Sequence, residues 1–510
     1  MTAKTLMVVG STSSAGKSLL VTALCRIFAR RGVRVTPFKA QNMSNNAAVC
    51  PDGGEIGRAQ ALQAAAAGLT PTVDMNPILI KPEADSRSQV ILMGRPWATL
   101  QAKTYYTKKA LLWEHVTASL DRLRASSELV IIEGAGSPTE LNLKQGDIVN
   151  MAVARYAQSP TLLVGDIDRG GIFAQLLGTL WLLEPQERAL IRGLVVNKFR
   201  GDASLFEDGI RILEQKGNVP VIGVIPHLKK LNLPDEDAVI IEQAASIGRT
   251  TAGVTAGSGA QIDIAVLAFP RLANFDDFDP LKAEKMINLR YASSPAELKT
   301  PHAILLPGTK STLADLEWMR QTGLAEAVNH FARSGGAVVG ICGGYQMLGK
   351  RIEDPLHVES DLAGLDGLGL LPISTRFSTE KATFQVQAHV LECSGWPSAV
   401  KSMPLSGYEI HTGDSHGGTP WVVIDRRNAN PVHVPDGCIS ADGKVWGCYL
   451  HGLFANDNFR HAWLRSLGWQ SEEAISQADS FRQSLETLVD SVESAMNMDL
   501  LNQIIWNTQQ

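Results

Sequence analysis

Close to the amino terminus an apolar run, residues 6–10, passes into Gly10-Ser-Thr-Ser-Ser-Ala-Gly16-Lys17-Ser18 and then into an amphipathic stretch over 17–31. A strand, a small-residue loop and a helix in that order form a cradle of backbone N–H groups for an anion. Such a unit is stable only inside a parallel sheet with helices on its faces. The downstream pattern agrees. Strands are expected at 33–38, 129–133, 161–166, 193–197 and 219–225, with helices at 56–67, 102–124, 148–157 and 204–216 between them.

A chain of 510 residues exceeds what one hydrophobic core organises, so at least two domains are expected. Residues 243–261 (QAASIGRTTAGVTAGSGAQ) lack apolar periodicity and are rich in small residues, which marks a connection between domains. A second α/β pattern then starts at 262–269 and continues through strands at 303–307 and 337–342, with one helix expected over 311–332. Residues after 371 turn strand-rich, at 383–392 and 444–451, and the tail beyond 458 reads as helical without a chemical motif.

Charge narrows the partners. The net charge is -5 with lysines and arginines interspersed among acids, so no broad basic face for nucleic acid is expected. The six cysteines include no CxxC pair, which argues against a zinc ribbon or a disulfide framework. No run reaches the length of a membrane span and the first residues do not resemble a signal peptide, so a cytoplasmic location is expected.

In the first half, Gly10, Ser14 and Gly16 would wrap phosphate oxygens, Lys17 would reach the terminal phosphates, and Ser18 would ligate Mg²⁺. The spacing departs from the usual P-loop, since five residues rather than four separate the two glycines. A cation also needs carboxylates, and Glu133 closes the apolar run LVIIE where ligands of parallel sheets bind. Glu55, read as opening a helix, is a second candidate, and Asn197 at another strand end is placed to meet a nucleotide base. In the second half, Gly340-Ile-Cys342-Gly-Gly344 ends an apolar strand as a cysteine version of a nucleophile elbow. A helix start at the thiol favours the thiolate, which could attack a glutamine side-chain amide. His451, after the run 444–451, is the leading base, and His411 is its rival.

The five-spacer loop with EGAG at 133–136 resembles the dethiobiotin-synthetase-like ATPases. FKAQNMSNNA at 38–47, GGEIGRAQ at 53–60, NPILIKP at 76–82 and VGDIDRGGIFA at 164–174, together with the cysteine elbow, resemble the cobyric acid synthases in order along nearly the whole chain. The resemblance implies a P-loop dethiobiotin-synthetase-like parallel-sheet domain followed by a class I (triad) glutamine amidotransferase α/β domain. It divides the chain into an ATP-binding amidoligase domain at 1–242, a linker at 243–261, a glutaminase at 262–457 and a helical tail at 458–510. It implies ATP and Mg²⁺ as cofactors and a corrinoid and L-glutamine as small-molecule partners. The reaction implied is amidation of the b, d, e and g carboxylates of adenosylcobyrinic acid a,c-diamide through acyl phosphates.

By the same resemblance Glu55 and Glu133 join Ser18 around Mg²⁺, and Lys39, Gln41, Asn42 and Lys81 line the substrate side. Gly308, Thr309 and Gly343 would form the oxyanion pocket, with Gln346 and His411 beside the glutamine. One departure stands out: the orienting acid of the class normally lies two residues after the histidine, where this sequence has Leu453. That leaves the third member of the triad open. Two rival readings remain: a cobyrinic acid a,c-diamide synthase, or a regulatory P-loop ATPase with a vestigial glutaminase. The second usually carries a lysine early in the loop, where Thr12 stands here. The oligomeric state, the ammonia route and the order of amidation are not legible.

Overall fold

The structure is a computed structural model that describes residues 2–84, 87–228, 231–234, 262–393, 395–471 and 474–507. The expected linker at 243–261 lies outside the described residues. The chain divides into two compact units, each drawn from separated stretches. The first takes Met1–Ser44, Glu55–Glu236 and Phe481–Gln510; the second takes Asn45–Gly54 and Asp237–Ser480.

The first unit is built on six parallel strands: β1 (Lys4–Gly10), β2 (Val35–Phe38), β3 (Leu129–Glu133), β4 (Thr161–Asp166), β5 (Ile191–Phe199) and β6 (Val221–Pro226), in the order β6-β5-β4-β1-β3-β2. Alternation along β1 explains the layering. Met7 and Val9 pack into the core on one face, and Leu6 and Val8 into that on the other. Because β1 sits between β3 and β4, its carboxyl end lies where the strand order reverses, the usual ligand crevice of such sheets. A smaller sheet, Gln41–Met43, Ile78–Ala84, Arg87–Leu92 and Arg95–Gln101, was not expected from the sequence. Its short alternating strands carry few turn signals.

Two expectations need correction here. Glu55 does not open a helix: it lies in the short strand Glu55–Gly57, and the helix runs over Arg58–Ala66. The residues beyond 458 are not a separate tail either. The helix Asp457–Ser466 packs in the second unit's core through Phe459, Trp463 and Leu464. The helices Gln477–Ala495 and Met498–Trp506 instead join the first unit's core. Leu485, Leu488, Val489 and Val492 fall at helical spacing on one face, so burial in that core stabilises the helix. On the other side of that helix, Glu486, Asp490 and Glu493 pair with Arg26, Arg30 and Arg31, at the end of and just after α1 (Lys17–Arg30).

The second unit has its own six-stranded sheet: β7 (Ile262–Leu267), β8 (Ile287–Ala292), β9 (Ala303–Leu306), β10 (Ala337–Ile341), β11 (Cys438–Ile439) and β12 (Val445–Cys448), ordered β8-β7-β9-β10-β12-β11 and parallel except for β11. A second sheet carries the long hairpin Ser374–Val390 and Pro404–His416. The single helix expected over 311–332 is two, Thr312–Gln321 and Leu324–Arg333, because Gly323 turns the chain at φ +79.

Candidate active sites

In the first unit Gly16 stands at φ +92 immediately before α1, a conformation that suits glycine and aims the loop amides at one point. Ser14 also adopts a positive φ, and Gly10 ends β1 so close to Lys17 that a Cβ would meet Nζ at 2.9 Å. Lys17 folds over the loop and donates to the carbonyls of Thr12 and Gly136, each at 3.1 Å. Asn197 donates from Nδ2 to the Ala15 carbonyl at 2.9 Å, and its Oδ1 accepts from the Lys198 N–H. Its amide nitrogen therefore braces the loop, while its oxygen is held within β5.

Glu133 is fully buried at the end of β3. Its Oε1 accepts from the Ser18 hydroxyl at 2.8 Å and from Lys39 Nζ at 2.9 Å, and its Oε2 accepts from Gln63 Nε2 at 2.5 Å. A hydroxyl and a carboxylate held together around a cationic group form a hard-oxygen donor set that fits Mg²⁺ beside bound phosphates. Glu55 is buried and ion-paired with Lys81. Gln41 accepts from the Tyr105 hydroxyl, and Asn42 donates to Gln60 Oε1 at 3.1 Å. Of the residues expected on the substrate side, Lys39 and Lys81 are thus tied to carboxylates, and Gln41 and Asn42 to Tyr105 and Gln60.

In the second unit Cys342 has φ 52 and ψ -110, outside the comfortable range for a residue with a Cβ. Neighbouring glycines allow the bend. A Cβ at Gly344 would run into the Leu306 carbonyl, and one at Gly340 would meet Gly344 O at 2.6 Å. The Cys342 N–H donates to the Cys448 carbonyl at 2.9 Å, fixing the elbow to β12. His451, only 1% exposed, hydrogen-bonds the Cys342 side chain.

The acid is Asp277. Its Oδ2 lies 2.6 Å from His451 Nδ1, and its Oδ1 accepts from the Gly452 N–H at 2.8 Å. Burial opposes a charge on His451, but the Asp277 carboxylate and the Cys342 sulfur outweigh it and hold the imidazole up to about 10. Leu453, in the position where an acid was sought, is packed in the core. Asp277 sits in the turn Phe275–Phe278 after β7, 174 residues from its partner. The acidic cluster in ANFDDFDP was the only hint in the sequence, and nothing there chooses among its three aspartates.

Thr309 N and Gly343 are brought side by side, a Cβ on Gly343 meeting that nitrogen at 3.2 Å. Gly308 faces the imidazole, where a Cβ would reach His451 Cε1 at 3.0 Å. Two backbone donors beside a thiol can hold an oxyanion. Gln346 donates to the Tyr449 hydroxyl at 3.2 Å and accepts from Thr312, whose hydroxyl and N–H also bond Glu359. His411 is not placed as the base. Its ring lies 3.8 Å from that of Tyr449, with Nδ1 at 2.9 Å from Gly413 O and Nε2 near Glu409, so it backs the wall that holds Gln346.

Comparison with known proteins agrees with both halves. Residues 6–239 match the CobQ/CobB/MinD/ParA nucleotide binding domain, and residues 263–459 match the CobB/CobQ-like glutamine amidotransferase domain. A cobyric acid synthase of Chloroflexus aggregans is 55% identical over 100% of both chains. One from Chloroflexus aurantiacus is 56% identical over 99% of this chain and 100% of its own. A third, from Dehalococcoides mccartyi, is 47% identical over 99% of each. The chain belongs to the cobyric acid synthase family. It is an enzyme, a ligase with glutamine as amido donor, and its α/β nucleotide-binding and glutamine amidotransferase halves are those of the family. Among the described residues no helix is long and apolar enough to cross a membrane.

Proposed function

We propose that this cobyric acid synthase family member hydrolyses glutamine at Cys342 and uses the ammonia, with ATP, to amidate the b, d, e and g carboxylates of adenosylcobyrinic acid a,c-diamide. The observation that carries the glutaminase is His451 held between Asp277 and Cys342. Cys342 Sγ, its proton carried by His451, attacks the glutamine side-chain carbonyl as the thiolate. The N–H groups of Thr309 and Gly343 receive the developing oxyanion, with Gly308 keeping the loop close to the ring. His451 returns the proton to the departing ammonia, leaving a thioester that water hydrolyses to glutamate. Gln346, Thr312 and Glu359 hold the amino-acid head, and His411 supports them through Tyr449.

On the amidation side, Gly10, Ser14 and Gly16 shape the cradle for the ATP phosphates, Lys17 turns from its loop carbonyls to the terminal phosphates, and Asn197 keeps the cradle in place. Ser18 and Glu133 would hold Mg²⁺, with Glu55 as a further carboxylate; the ion supplies charge neutralisation between the phosphates. Lys39, freed from Glu133, and Lys81, freed from Glu55, are then available to the anionic corrinoid and its acyl phosphate, with Gln41 and Asn42 beside them. A cytoplasmic location suits the use of ATP and free glutamine.

Mass spectrometry of the product tests the reading directly. Incubation of the a,c-diamide with ATP, Mg²⁺ and glutamine is expected to add four amides. Two amides added to unamidated cobyrinic acid, with none added to the a,c-diamide, would assign the chain to the earlier amidation.

A further inference from the structure

Residues 45–54 follow directly on the strand Gln41–Met43, yet they cluster with the second unit. Within that unit the Ala47 N–H donates to Asn274 Oδ1 at 3.0 Å, and the Val49 carbonyl accepts from Gln385 Nε2 at 2.8 Å. Ala47 and Asn274 are both buried. Asn274 adopts the left-handed conformation, φ 50 and ψ 45, at the start of the turn that carries Asp277. Its Nδ2 lies 3.5 Å from His451 Nε2, the outer limit of a hydrogen bond.

The orientation of that amide follows from chemistry. A backbone N–H needs an acceptor, so Oδ1 faces Ala47 and the NH₂ group faces the imidazole. The groups around the ring then pull in opposite directions. Asp277 on Nδ1 and the Cys342 sulfur favour an imidazolium, and the Tyr408 ring stacks on the imidazole at 5.1 Å. The Asn274 donor aimed at Nε2 favours a lone pair there, so it opposes the Nε2–H that an imidazolium–thiolate pair requires.

We propose that Asn274, oriented by the Ala47 N–H, is a positioning residue that holds the glutaminase in a low-activity state, and that segment 45–54 relieves this restraint when the corrinoid and ATP engage residues 39–44. Withdrawal of Ala47 frees the amide to rotate. Oδ1 then accepts from Nε2–H and the ion pair forms. The inference rests on the glutaminase reading above, and it makes glutamine hydrolysis conditional on an acceptor.

The full-length protein is compared with Asn274→Gly, which keeps the left-handed backbone, and Asn274→Asp, which replaces the donor with an acceptor of the same shape. Two quantities are read: the pH profile of iodoacetamide alkylation at Cys342, followed by peptide mass spectrometry, and glutamate release from glutamine alone. The alkylation midpoint is expected to fall in both variants, by about one pH unit in Asn274→Asp. Acceptor-free glutamate release is expected to rise about 10-fold, and ATP plus corrinoid to accelerate the wild type but add little to the variants. Superimposed pH profiles, or variants that remain fully dependent on the acceptor, would overturn the proposal. Glutamine-driven amidation persisting in Cys342→Ala would instead overturn the glutaminase reading beneath it.

Discussion

The two candidate sites begin alike, each a parallel strand ending in a glycine-bracketed loop before a helix, but they manage charge differently. In the first unit the cationic side chains are already held: Lys39 is paired with Glu133 and Lys81 with Glu55, and Lys17 donates to loop carbonyls. On the proposed reading those bonds are exchanged when ATP and Mg²⁺ bind. In the second unit Cys342, His451 and Asp277 are assembled and both oxygens of the acid are in use. One site has its cationic side chains held in ion pairs and loop bonds; the other already has its thiol, imidazole and carboxylate in contact. The difference fits the ligands proposed, a polyanion with a cation in one case and a single amino acid in the other.

The widest separation between the sites is expected from Cys342→Ala. Glutamine-dependent amidation should fall by at least about 10⁴-fold while ammonium-driven amidation persists, measured as product per minute with each nitrogen source. Loss with both sources would show that the thiol serves structure. Lys17→Ala should lower amidation about 10³-fold with either source. A variant retaining ammonium-driven turnover would break the phosphate-loop assignment.

Asp277→Asn tests whether the second site is truly preassembled. Glutamate release should drop about 10²–10⁴-fold in kcat with little change in KM, because the amide no longer fixes the tautomer of His451. A mild effect would mean that the Cys–His pair acts without its acid. The same variant should alter the pH dependence of stability. His451 is raised in the folded state, so its stabilising share is full below its unfolded value near 6.5 and is lost as pH rises through about 10. The difference in melting temperature between wild type and Asp277→Asn should therefore shrink above pH 10.

The smallest effects concern the returning helices. Leu488→Ala should cost about 2–5 kcal/mol of the first unit's stability, read by chemical denaturation. Arg30→Ala should cost less than about 1 kcal/mol, since its partners Glu486, Asp490 and Glu493 are partly solvated. Equal losses would mean that the ion pairs, not the apolar stripe, hold the helix.

Sequence reading reached most of the sheet strands and both reactive loops because these signals are local. GSTSSAGKS and GICGG fix their own backbone, and LVIIE spans the residues of β3 itself. It failed where a residue's partner is remote. Glu55 looked like a helix start because the run RAQALQ at 58–63 close behind it is helix-forming, yet its N–H bonds to Gly94 in a strand setting. Gly323 split a helix whose two halves are each amphipathic.

The order of residues alone determined a nucleotide-loop sheet and a second α/β unit with a thiol at a strand end, and narrowed the base to His451 or His411, since periodicity and glycine spacing act over a few residues. Only the folded chain decided that Asp277 meets His451, that residues 45–54 belong with the second unit, and that 481–507 belong with the first. Hydrogen bonds and apolar burial join groups by proximity in space, and separations of 174 to 460 residues leave no trace in local pattern.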